Sequence, residues 1–286
     1  MTAKARRGIL LAGGANSRLF PATRAVPKSL LPVYDRPLIY YPLSLLFAAG
    51  VRDILLITAP GCAMAHDRLL GDGGAFGANI VYAEQQKPRG IADAFIIGAD
   101  FVGTSPSMLV LADNIFFGGG AAKAARAASA ADGAQVLAKR VPDPQRFGVI
   151  TMDGNGKPLT LEEKPPKPKS DWAATGCYFY DAEVCNIAKR LRPSARGELE
   201  ITDVNLEYLR RGLLGVSCLD DDAMWFDAGT ADSLLAAANI LRGKNDPQGL
   251  GTPELAAYRQ GWINKQSLHQ AAADNQNTPY AKALQP

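Results

Sequence analysis

The chain has 286 residues, with 31 Lys and Arg against 28 Asp and Glu and a formal net charge of +3. So small an excess gives no reason to expect a nucleic acid or an anionic membrane as partner, and no apolar run reaches the length of a membrane span. A hydrophobic fraction of 47% beside 21% charged residues fits a globular protein with one large or two modest domains.

The first predicted element is a buried strand over 8–12, Gly-Ile-Leu-Leu-Ala, stopped by Gly13-Gly14 in the way a central parallel strand ends. Loops at the carboxyl ends of such strands are where open α/β sheets bind ligands. Glycines let backbone approach a bulky anion, and successive N–H groups form an anion nest. The basic residues Arg18, Arg24 and Lys28 follow, so the local chemistry is that of a polyphosphate site. The N-terminal "MTAKARRGIL" leads into this strand rather than into a signal-peptide core.

A helix is expected over 38–50, ended by Gly50, then a strand over 53–58, a short helix over 65–70 and a strand over 79–83. The loop "EQQKPRG" precedes a helix over 91–101, and an apolar strand over 107–112 ends at Asp113. Strands alternating with helices imply βαβ units and a mostly parallel sheet. From 134 the rhythm changes to closer strands at 135–139, 147–152 and 175–180, separated by "DGNGKP" and the proline-rich "EEKPPKPKSDW". Helices at 181–191 and 202–211, strands at 213–219 and 223–226, and a helix over 230–241 complete this part. "GKNDPQGLGT" at 243–252 reads as a linker into a tail of short amphipathic helices. Cys62, Cys177, Cys185 and Cys218 lack metal-ligand spacing and read as free thiols in a reducing cytoplasm. With only His66 and His269 present, histidine-based catalysis or metal binding is not expected.

The spacing of the glycines with Arg18, Pro21, Lys28 and Pro32, and the continuation "LLPVYDRPLIYYPLSLLFAAGVRDILLIT", resemble the sugar-phosphate nucleotidyltransferases, whose pattern is Gly-x-Gly-Thr-Arg followed by Pro-Lys-x-Leu-Leu-Pro. The resemblance is greatest to the glucose-1-phosphate thymidylyltransferase members and covers nearly the whole chain. It implies a Rossmann-like nucleotidyltransferase fold, α/β with a mostly parallel central sheet flanked by helices. The implied catalytic domain spans 1–242, with a nucleotide part over about 1–133 and a sugar-phosphate part over about 134–242. A helical tail over 253–286 would serve oligomer formation or regulation. The implied reaction joins dTTP and glucose 1-phosphate into dTDP-glucose and pyrophosphate with Mg²⁺. UTP or a modified hexose 1-phosphate is the alternative, and a weakly active sugar-nucleotide sensor or scaffold is a reading from another class. A cytoplasmic homotetramer with a dTDP-sugar feedback effector is implied as well.

Under the same resemblance Arg18 and Lys28 are catalytic, and Leu11, Gly13, Gly14, Ala15, Asn16, Ser17, Gln85 and Gly90 bind nucleotide. Gly148, Glu163, Lys164, Ala174 and Gly176 bind the sugar phosphate, and Asp113 and Asp227 hold the metal. Each type suits its place. The Gln85 amide matches the O4/N3–H edge of thymine or uracil. Two strand-end carboxylates with substrate phosphates suffice for Mg²⁺, which keeps several waters. Read alone, an aspartate at a strand end also serves as a turn former, and an exposed Glu-Lys pair is commonly just solvated. The chain departs from the pattern at Asn16-Ser17, where Gly-Thr is usual, at Ser29, where Gln is frequent, and at Arg89 and Asp93, where Asp and Gln are usual. Trp225 and Tyr178 read as core, and Glu198 and Glu200 as structural or interface residues.

Overall fold

A computed structural model of the chain describes residues 4–14 and 17–285. Its strands are β1 (Arg7–Ala12), β2 (Pro32–Val33), β3 (Arg36–Pro37), β4 (Asp53–Thr58), β5 (Asn79–Glu84), β6 (Ser107–Leu111), β7 (Asn114–Phe117), β8 (Ala134–Arg140), β9 (Gly148–Met152), β10 (Pro158–Glu163), β11 (Trp172–Tyr180), β12 (Leu214–Cys218) and β13 (Met224–Asp227). Nine form one sheet in the order β10-β9-β11-β6-β1-β4-β5, with β8 beside β11 and β12 beside β8. The segment β6-β1-β4-β5 is parallel throughout, and β11 joins it antiparallel to β6.

Side chains alternate across each strand, so the sheet sorts its own core into two layers. Ile9, Leu55, Leu109 and Val136 enter one cluster. Their neighbours Leu10, Leu56, Val110 and Leu137 enter the other. Both clusters draw on residues before and after position 134, so the segments on either side of it share one sheet and both core layers. The helix Tyr40–Ala48 is buried along its whole length. It lies between the sheet and the tail helix Pro253–Arg259, with Phe47 edge-on to Trp262 at 5.3 Å.

The expected linker at 243–252 is docked. The buried Asp246 carboxylate accepts from the backbone N–H of Gly118 at 2.6 Å and of Gln248 at 2.7 Å, and Gly251 N–H donates to Ser44 Oγ at 2.7 Å. The helix expected over 91–101 is two, Asp93–Ile97 and Ala99–Val102, broken at Gly98. A helix at Gly119–Ala130, strand β10, and strand β7, which pairs with the expected strand β13, are additions to the sequence reading. Among the described residues no helix is long and apolar enough to cross a membrane.

Candidate active site

β11 forks the sheet. Its residues 173–174 lie beside β8 and β9, while 177–180 pair with β6, and the β8 register slips between Ala174 and Tyr178. At the fork, Gly176 N–H donates to Asn114 Oδ1 at 3.2 Å, and a Cβ there would meet Asn114 Nδ2 at 2.7 Å. A cleft of about 660 Å³ opens between the fork and the carboxyl end of β1. Leu11, Gly13, Gly14, Ser17, Arg18, Lys28, Gln85, Gly90, Asp113, Gly148, Glu163, Lys164, Ala174, Gly176 and Asp227 all line it. Ala15 and Asn16 lie outside the described residues. Arg24 is elsewhere, its guanidinium 5.2 Å from the Phe20 ring centre.

The charged centre is compact. Buried Lys28 donates from Nζ to Asp113 Oδ2 at 2.6 Å, and Asn114 Nδ2 donates to Asp113 Oδ1 at 2.9 Å. Asp227 faces the same space from the end of β13, paired in register with Asn114. Burial raises the Asp227 pKa, and the nearby Asp113 charge raises it further, against the pull of Lys28, Arg18 and Arg146. A Cβ on Gly229 would lie 3.0 Å from Arg18 Nη2 and 3.1 Å from Asp227 Oδ1, so the bare glycine leaves room for the guanidinium beside the carboxylate. Two hard-oxygen donors facing one space, with the Asp113 charge disfavouring that of Asp227, form a set that suits a divalent cation.

On the β5 side, buried Gln85 donates from Nε2 to Gly90 O at 3.3 Å and to Asp93 Oδ2 at 3.1 Å. Arg89 holds the other Asp93 oxygen at 2.5 Å. The replacements at 89 and 93 therefore pair with each other and fix the Gln85 amide. Gly90 sits at φ +103° with its α-carbon against the Leu199 backbone, a position a side chain would strain. Beyond Lys28, Ser29 Oγ is 2.8 Å from His66 Nε2, and His66 Nδ1 is 2.8 Å from Cys62 O. Burial lowers the His66 pKa against the opposing effect of the Cys62 carbonyl.

On the far side, Thr202 Oγ1 donates to Glu163 Oε2 at 2.6 Å, and Lys164 Nζ stands 3.3 Å from Glu163 Oε1. Arg196 reaches the same Glu163 oxygen at 3.5 Å while forking onto Glu200 at 2.9 and 2.8 Å. Gly148 keeps this corner open, since a Cβ would lie 3.5 Å from Glu163 Oε2 and 3.6 Å from Ala174 Cβ.

Several cleft residues escape the sequence reading. Trp225, read as core, is half-buried and lines the cleft, donating from Nε1 to Asn114 Oδ1 at 2.7 Å and meeting Phe147 edge-on at 5.0 Å. Tyr178 is buried as expected and also contributes to the wall. Glu198 and Glu200 reach the cleft through Arg196. Arg146 brings Nη2 to 3.7 Å from Asp227 Oδ2. Its position in "RFGVI", two residues before Gly148, was a signal available in the sequence.

A family model described as nucleotidyl transferase matches residues 7–243. The chain is 49% identical over 281 residues to a glucose-1-phosphate thymidylyltransferase of Neisseria gonorrhoeae, covering 97% of this chain and 98% of that one. It is 49% identical over 268 residues to the Mycobacterium tuberculosis H37Rv enzyme of the same name, covering 93% of each. A Bacillus anthracis crystal structure with sucrose, assigned to the same activity, superposes with a TM-score of 0.77 at 42% identity, over 84% of this chain and 97% of that one. A UDP-glucose pyrophosphorylase complexed with UDP-glucose superposes with a TM-score of 0.74 at 20% identity, over 84% and 99%, and shares the fold.

Proposed function

Since the chain belongs to the nucleotidyl transferase family, we propose that it is a glucose-1-phosphate thymidylyltransferase: it transfers the thymidylyl group of dTTP to glucose 1-phosphate, giving dTDP-glucose and pyrophosphate. The observation that carries the reading is one cleft in which Arg18, Lys28, Asp113 and Asp227 share a centre while Glu163 and Lys164 stand on its far wall. A phosphate oxygen of the sugar 1-phosphate attacks the α-phosphorus of dTTP, and the bond to pyrophosphate breaks. That oxygen is already anionic at neutral pH, so the step needs no general base, in keeping with a chain that has two histidines.

The remaining task is to hold two polyanions together and to stabilise charge on the leaving group, which is work for positioned cations. Lys28, desolvated and fixed, meets charge developing at the α-phosphate. Arg18 holds the outgoing β- and γ-phosphates against the nest at Gly13-Gly14. Lys164 anchors the sugar phosphate and Glu163 accepts from sugar hydroxyls. Gln85, whose two Nε2 hydrogens are taken by Gly90 O and Asp93, offers Oε1 as acceptor to the N3–H of the base. Asp113 and Asp227 would hold Mg²⁺, which when bound offsets phosphate charge.

The four free cysteines support a cytoplasmic setting. Exposed Leu235 and Ile240 on the helix Ala231–Leu241 support assembly, in this reading a homotetramer with dTDP-sugar feedback. Pyrophosphate release measured across nucleoside triphosphates and sugar 1-phosphates, with and without Mg²⁺, tests the assignment. The dTTP and glucose 1-phosphate pair should be fastest; faster release with UTP or a modified hexose 1-phosphate replaces the substrate, and binding without turnover of any pair replaces the enzyme by a sensor.

A further inference from the structure

Arg89 and Asp93 depart from the family pattern in the stretch after β5, and together they decide which atom of Gln85 faces the cleft. Asp93 is buried and its carboxylate is shared between two neighbours. Arg89 reaches Oδ1 from Nη2 at 2.5 Å and from Nε at 3.2 Å, while Oδ2 takes a hydrogen of Gln85 Nε2 at 3.1 Å. The Arg89 side chain is 54% exposed and that of Asp93 5%. The pair thus sets an acceptor inside the wall and balances its charge from the surface.

The two ends of a carboxamide are alike in size and opposite in polarity, so the neighbours decide which way it turns. The ion-paired Asp93 carboxylate and the Gly90 carbonyl, 3.3 Å from Nε2, only accept. A reversed amide would set Gln85 Oε1 against both of them, three acceptors with no proton among them. Oε1 is therefore held on the other side, toward Gly13, where a Cβ would lie 2.6 Å from it. Gln85 and Gly13 both line the cleft. A neutral amide at position 93 would offer a donor as well as an acceptor and would leave Gln85 free to turn. Resting on the proposed dTTP activity, we infer that the Arg89–Asp93 pair is a specificity determinant for the base. By excluding the reversed Gln85 amide it rejects pyrimidines that carry a lone pair at N3, such as cytosine, and keeps those with an N3–H. Asp93 is a positioning residue that acts through Gln85, and Arg89 acts through Asp93.

The test compares dTTP with 5-methyl-2′-deoxycytidine triphosphate in the full chain, with glucose 1-phosphate held saturating. The analogue keeps the sugar and the methyl group, and replaces N3–H and O4 by a bare N3 and an amino group. The wild-type enzyme should prefer dTTP by at least about 100-fold in kcat/KM, the effect of a lost hydrogen bond that leaves two lone pairs facing each other at a built site. In Asp93→Asn, Arg89 draws the oxygen of the new amide and leaves its NH₂ toward Gln85, so the reversed orientation becomes available. The variant should lose activity on dTTP and gain it on the cytosine analogue, narrowing the ratio by about tenfold or more. Asp93→Ala removes the acceptor without adding a donor and should give an intermediate ratio; thermal midpoints show that each variant is folded. A ratio that stays at the wild-type value in folded variants, with both triphosphates losing equally, is the mark of a merely structural role and overturns the inference. So does a wild-type ratio below about threefold, and both outcomes leave the thymidylyltransferase reading standing. Wild-type protein that turns over neither triphosphate removes that reading, and this inference with it.

Discussion

The two walls of the cleft are built to different rules. On the wall proposed for the nucleotide, three polar groups are buried and held by partners: Lys28 on Asp113, Ser29 on His66, and Gln85 on Asp93. The Lys28 side chain keeps 6% of its surface exposed, that of Lys164 48%. On the wall proposed for the sugar phosphate, Lys164 and Arg196 compete for one Glu163 oxygen, and Arg196 also engages Glu198 and Glu200. Desolvated, singly partnered groups are preorganised, and that raises turnover when charge develops in front of them. Exposed, exchangeable ion pairs are individually worth little and re-pair when a ligand arrives, so the second wall contributes to binding more than to the barrier.

The largest expected effect lies at Lys28. By the measure of single electrostatic donors in other enzymes, Lys28→Ala should lower kcat by roughly 10²–10³; it also leaves Asp113 and Asp227 facing each other without that ammonium. Steady-state kinetics at saturating substrates decide it, and near-normal turnover would erase the contrast between the walls. Next comes Gly90→Ala. At φ +103° with the Leu199 backbone against it, an added methyl strains the loop that holds Gln85, at a cost of about 1–3 kcal/mol. A lowered thermal midpoint together with a raised KM for dTTP is the expected pair of changes. Smaller still is Lys164→Ala, expected to raise KM for glucose 1-phosphate about tenfold while kcat moves only a few-fold. A loss carried in kcat instead would show that the open wall takes part in the transition state.

The sequence is legible where one segment carries its own signal. The apolar run of β1 ended by Gly13-Gly14, and the strand ends at Asp113 and Asp227, are such places. The helix Gly119–Ala130 stayed hidden because glycines open it and its buried face is alanine alone, with no large apolar residue to mark a period. Trp225 read as core because an aromatic beside a strand end looks the same whether it faces a cleft or a layer, and the fork at β11 decides which. The hydrogen-bonded Ser29 and His66 stand 37 positions apart, and no local pattern joins them. The 243–252 segment reads as a linker by its glycines, yet Asp246 buries its carboxylate against backbone N–H groups, a tertiary event that composition does not record.

The smallest effect tests the nucleotide wall through stability rather than rate. Because burial holds the His66 pKa below its ordinary value, the native ring stays neutral where an unfolded chain, with a histidine pKa near about 6.5, begins to take up a proton. The unfolded state then binds more protons than the native one, so stability rises with pH. The contribution of His66 is fully present above about pH 6.5 and is lost as pH falls toward the lowered native value, by at most one proton, about 1.4 kcal/mol per pH unit. Carboxylates titrate nearby in pH, so the informative quantity is the difference between wild type and His66→Gln. Denaturant midpoints measured from pH 7.5 down to 5 should show the wild type losing stability faster than the variant below about pH 6.5. Parallel curves would mean that His66 takes its proton in the native state too, which turns its hydrogen bond with Ser29 around and leaves Lys28 and Gln85 as the preorganised groups of that wall.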